Sequence, residues 1–143
     1  MNAIKDAIKS GKTVVGTAGS PNVDVSLLAD AGFDFLLFDT QHSPWEIKQL
    51  QPPIQAMRGK QTAPVVRVAT NEAYQICFAL DAGARGIIVP MVNTRAEAEA
   101  AVSACRYFPL GTAATPAYAA SGVSSGLIAI TWMLLTTSFL SCR

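Results

Sequence analysis

The sequence predicts an α/β domain built on a parallel sheet, and three observations carry that prediction. Along residues 1–106, short apolar runs alternate with segments of helical length. The runs, such as Phe35-Leu36-Leu37-Phe38, are apolar at consecutive positions, as in strands covered on both faces. Candidate strand ends at Thr17, Asp39, Val68 and Pro90 recur at similar intervals, each long enough for one strand–helix unit.

Each element follows from its residues. Ile4, Ala7 and Ile8 share one face of a short helix that ends near Gly11. "TVVGTAG" is a short strand and turn, and "NVDVSLLADAG" is a helix with Gly32 as its stop. "FDFLLFD" is the second strand. "PWEIKQLQPPIQAM" is helical but interrupted, because Pro52 and Pro53 lack the N–H that a helix interior needs. "APVVRV" is the third strand, "EAYQICFALDAG" a helix closed by Gly83, and "RGIIVPM" the fourth strand. "TRAEAEAAVSACR" is a helix with Thr94 as N-cap and Glu97 at the capping-box position. "LADAGFDFLLF" at 28–38 echoes "ALDAGARGIIV" at 79–89, two strand–helix units apart.

Composition narrows the function classes. The 143 residues are half hydrophobic and carry a net charge of +1, enough for one domain with a sizeable core. No basic stripe or acidic run points to nucleic acid or an anionic membrane surface. Cys77, Cys105 and Cys142 are odd in number and far apart, with no C-x-x-C pair, so they are expected as reduced thiols in a cytoplasmic protein. The start, "MNAIKDAIKSGK", has no apolar h-region of a secretory signal.

Two architectures fit four such units: an open doubly wound sheet and part of a (β/α)8 barrel, which takes about 250 residues. Neither G-x-G-x-x-G nor G-x-x-x-x-G-K-[ST] is present, so the nucleotide-binding signals are missing. In both architectures function gathers at the C-terminal ends of the strands. There the sequence offers Asp39, Thr40, Gln41 and His42 after the second strand and Arg67 on the third. His42 is the only histidine, and an imidazole titrates near neutrality, which suits a general base. An arginine can hold a carboxylate by two parallel hydrogen bonds. Together they suit proton abstraction beside a carbonyl. A hydrogen-bonded loop histidine and an arginine paired with a helix carboxylate stay open as alternatives.

The segments "AGFDFLLFDTQHSPWE", "APVVRVATNE" and "ALDAGARGIIVPMVNTRAEAEAAVSACRYFP" together resemble the HpcH/HpaI aldolase/citrate lyase family, from about Ala3 to Pro109. The resemblance implies a pyruvate-dependent class II aldolase on a (β/α)8 TIM barrel, here truncated to about four units. It implies that His42 is the general acid/base, that Arg67 binds the keto acid and stabilises enolate charge, and that Asp81 orients His42. Gln41 stands where many relatives have Glu and is expected to support substrate binding. The implied substrate is a small 2-keto-3-deoxy or 4-hydroxy-2-keto acid, cleaved to pyruvate and an aldehyde. The implied cofactor is a divalent metal (Mg, Mn or Co), held in the family by a Glu and an Asp on later strands. This chain has no acidic residue after Glu99, so those ligands are absent and the chain alone is expected to be inactive.

Two segments are therefore expected: 1–109, the N-terminal half of the barrel, and 110–143, a divergent tail. Every charged residue except Arg143 lies in 1–106, and none lies between Tyr107 and Cys142. The tail reads as an aberrant C-terminus, as an apolar cover for exposed sheet, or as a membrane anchor. Against the anchor, Ser, Thr and Gly recur throughout the stretch from Gly122 to Cys142. A half barrel leaves its first and fourth strands as open edges, which favours homo-oligomers or association through those edges. A non-catalytic fragment that pairs with a full-length relative is the alternative function.

Overall fold

The computed structural model describes residues 3–106, 111 and 128–131. Within them, α1 (Ala3–Lys9) precedes β1 (Gly16–Ala18), α2 (Val25–Ala29), β2 (Phe35–Asp39), α3 (Gln51–Ala56), β3 (Ala63–Arg67), α4 (Ala73–Ala82), β4 (Gly86–Val89), α5 (Arg95–Ala104) and β5 (Ile128–Thr131). The strands form one parallel sheet in the order β1-β2-β3-β4-β5, so each strand lies beside its predecessor.

The caps explain where the helices stop and start. Asp24 accepts from the Ser26 N–H at 2.8 Å and opens α2, which ends by Asp30, earlier than the expected stop at Gly32. Gly32 (φ +88°) turns the chain just beyond it. The expected interruption falls at Leu50, just ahead of Pro52 and Pro53. They sit in the first turn of α3, behind a 3-10 turn at Ile47–Gln49, where a missing N–H costs nothing. Gly83 closes α4 in the left-handed conformation, φ +111°. Thr94 and Glu97 form a reciprocal capping box at the start of α5.

Alternation along the strands sends side chains to two faces, and both are apolar. Leu36, Phe38, Val66, Val68, Ile87 and Val89 pack with Val25, Ile54, Ile76 and Ala101 from α2 to α5. On the other face, Ala63, Val65 and Ile88 pack with Ile4 of α1, flanked by Ile8, Phe35 and Leu37. The Phe35 ring lies against Gly16, where an added Cβ would come within 2.4 Å of it. That close approach requires a glycine in β1.

The fourth strand is not an open edge, contrary to expectation. β5 pairs with β4 in parallel, Gly86 with Ile128 through Val89 with Thr131. The run around Ile128 is continuous and uncharged, so it suits a strand covered on both faces as well as it suited the readings considered above. The rest of the tail lies outside the described residues. Among the described residues, no helix is long and apolar enough to cross a membrane.

Candidate active site

β2 and β3 end side by side, with Asp39 opposite Arg67 in register. Counting by twos places both on the face of Leu37 and Val65, the one that carries α1. The Arg67 Nε–H donates to Asp39 Oδ1 at 2.8 Å, and Nη2 donates to Oδ2. This two-point geometry fits a guanidinium to a carboxylate. Asp39 is 8% exposed, so its charge needs this partner. The Arg67 hydrogen bond pulls the Asp39 carboxyl down to about 2, against the opposing effect of burial. The Arg67 guanidinium is held above its ordinary value, chiefly by the same bond.

Asp39 also shapes the loop behind it. Its Oδ1 accepts the backbone N–H of Gln41 at 2.9 Å and of His42 at 3.2 Å. The Ser43 hydroxyl donates to its backbone carbonyl. One carboxylate thus fixes the Arg67 guanidinium and the backbone that carries the exposed His42 side chain. Thr40 donates from its N–H and its hydroxyl to the Arg67 carbonyl, at 2.9 and 2.8 Å. Trp45 anchors the far end of the loop: its indole N–H donates to the Gly19 carbonyl at 3.1 Å, and its ring meets Phe38 edge-on at 5.6 Å. The His42 loop is therefore tied to β1, β2 and β3 together.

The partner of Arg67 is a carboxylate on the neighbouring strand, not on a helix. Asp39 was visible as a polar strand end, but nothing in its spacing gave it a role. Of the five N–H bonds of the guanidinium, two point at Asp39 and three do not. A rim arginine paired in this way, with N–H bonds not directed at its partner, can orient an anionic oxygen.

Asp81 does not join this group within the chain. It lies in the last turn of α4, the end that leads through Gly83 to the start of β4. There the Ala84 N–H bonds Ala79 O, and the Arg85 N–H bonds Pro64 O near the start of β3. His42 and Arg67 are at the opposite ends of the strands. Burial pushes the Asp81 carboxyl up, and Asp81 in turn adds to the rise of the Cys77 thiol, which burial dominates. Gln41 reaches the site through its backbone N–H.

The donor set does not fit a divalent metal. Among the described residues no three His, Cys, Asp or Glu side chains converge. Asp39, the acidic group at the rim, is committed to Arg67, and no Asp or Glu follows Glu99 in the sequence.

The chain is 42% identical over 112 residues to a 4-hydroxy-2-oxo-heptane-1,7-dioate aldolase of Salmonella dublin, covering 77% of this chain and 43% of that protein. It therefore spans less than half the length of that relative. The fold superimposes on an HpcH/HpaI aldolase/citrate lyase family protein from Burkholderia cenocepacia J2315 with a TM-score of 0.76 and 27% identity, over 92% of this chain and 59% of that one. It also superimposes on the citrate synthase SbnG, with a TM-score of 0.75 and 31% identity, over 90% and 54% of the two chains. The family model matches residues 17–129, past Pro109 and into β5. With the family model matched over most of its length, this chain belongs to the HpcH/HpaI aldolase/citrate lyase family.

Proposed function

We propose that this chain carries the acid/base and anion-binding part of an aldolase site that releases pyruvate from a 4-hydroxy-2-oxo acid. The observation that carries the reading is the Asp39–Arg67 pair, which also holds the His42 backbone at the rim of the sheet. His42 takes the proton from the C4 hydroxyl. The C3–C4 bond then breaks, the aldehyde leaves, and the electron pair passes into the C2 carbonyl as an enolate. Arg67 stabilises the charge on that oxygen through the N–H bonds not directed at Asp39. A proton returned at C3 completes pyruvate. Asp39 is a positioning residue, because it acts through Arg67 and the loop. The role in orienting His42 expected of Asp81 falls within this chain to Asp39.

The relatives' metal chemistry needs donors that these residues do not provide, so the chain alone has little or no metal-dependent activity. Saturation-transfer NMR with pyruvate tests the anion-binding part: binding is expected, and Arg67→Ala is expected to abolish it. Robust pyruvate release by the 143-residue chain, lost on adding EDTA, would overturn the statement about activity.

The missing donors also favour a second reading, a non-catalytic fragment that associates with a full-length relative or with itself. Co-purification with a full-length aldolase supports it, and a monodisperse monomer by light scattering counts against it.

A further inference from the structure

We infer that Cys77 and Cys105 are a dithiol pair that oxidation converts to a disulfide between α4 and the end of α5. The two residues are too far apart in sequence for a local motif, yet their helices are neighbours. The Cys77 Sγ lies 3.8 Å from the carbonyl oxygen of Ala104, the residue before Cys105. Across a trans peptide, that oxygen is about 3 Å from the next Cα. The Cys77 sulfur is therefore within about 7 Å of the Cys105 Cα, and the Cys105 sulfur swings on an arm of roughly 3 Å about that atom. Within that bound, rotation of the two side chains carries the sulfurs toward each other, and a disulfide takes Cα separations of about 4.4–6.8 Å. Both residues are half-buried, so a small oxidant can reach them. Neither belongs to the rim built on Asp39 and Arg67.

The oxidant is a low-molecular-weight disulfide such as oxidised glutathione. One cysteine thiolate attacks it, forming a mixed disulfide and releasing one glutathione thiolate. The second cysteine thiolate attacks the protein sulfur of that mixed disulfide and displaces the second glutathione. The dithiol loses two electrons and two protons, and the oxidant becomes two thiols. Burial and Asp81 hold the Cys77 thiol above its ordinary value, so exchange is best run at mildly alkaline pH, about 8.5.

The full chain is incubated with oxidised glutathione at that pH, alkylated, cut with trypsin without reduction and mapped by mass spectrometry. The expected product joins the peptide 68–85, which contains Cys77, to 96–106, which contains Cys105. Cys142→Ser, which removes the competing thiol, is expected to give the same cross-link. The oxidised chain is expected to melt about 10 °C higher, because the bond closes a long loop of the unfolded chain. Glutathione adducts carried separately on Cys77 and Cys105, or either joined to Cys142, would overturn the pairing. An unchanged melting temperature in the cross-linked chain would overturn the claim that the bond ties the folded helices.

Discussion

Asp39 and Arg67 close the ends of adjacent strands on one residue pair, and the same carboxylate receives the backbone N–H of His42. Deleting the carboxylate therefore does two things. It leaves the Arg67 guanidinium unpaired, and it releases the loop. Asp39→Ala is expected to lower stability by about 2–3 kcal/mol, measured by urea unfolding, because Arg67 is partly solvated and regains some hydration. Asp39→Asn keeps an acceptor and is expected to cost less.

The same pair sets an acid limit. Asp39 has its carboxyl depressed from 3.8 to about 2 in the folded chain. A depressed acid binds its proton more readily in the unfolded state. Its contribution is complete above pH 3.8 and is lost as pH falls through about 2. The contribution at neutral pH is about 2 kcal/mol. Unfolding free energies of wild type and Asp39→Asn, measured from pH 5 to pH 2, are expected to converge at the acid end.

Asp81 has the opposite sign. Burial raises its carboxyl, so the folded chain favours the protonated form. Its stabilising effect is present at low pH and is lost as pH rises through the raised value. Asp81→Asn removes the cost of the buried charge at neutral pH. Its melting temperature at pH 7 is expected to match or exceed that of wild type, and a large drop would show that the carboxylate makes a needed contact.

Gly83 is expected to tolerate no side chain. Its φ of +111° disfavours an L residue, and an added Cβ would meet Ile54 Cγ2 at 3.2 Å. Gly83→Ala is expected to cost about 1–2 kcal/mol by thermal or urea unfolding.

Much of this was legible in the chain. Val65-Val66 and Ile87-Ile88 announced strands buried on both faces, and Thr94 with Glu97 announced the start of α5 through a local hydrogen-bond pattern. Arg67 and His42 were legible as strand-end polar groups. The role of Asp39 was not, because its choice between water and Arg67 depends on the register of two strands distant in sequence. The place of Asp81 followed from the strand–helix pattern, which puts the last turn of α4 at the start of β4; its role in orienting His42 came from the resemblance alone. β5 was obscured because its uncharged surroundings gave no alternation of polar and apolar residues to read. The approach of Cys77 to the end of α5 was hidden for the same reason as Asp39: only tertiary packing brings the two together.

The order of the strands has a consequence for how the chain acquires its structure. Gly16 pairs with Phe35, Phe35 with Ala63 and Val65 with Gly86, so the first three pairings join segments close in sequence. Gly86 must wait for Ile128, by far the longest interval of the four. Closing a segment twice as long costs about 0.6 kcal/mol more in chain entropy. The first four strands can therefore assemble vectorially as they leave the ribosome, each templated by its predecessor, with β5 docking last. Pulse-labelled hydrogen exchange during refolding is expected to protect the amides of β2 and β3 before those of β5, which makes the N-terminal units the seed of the sheet and the last strand its slow step.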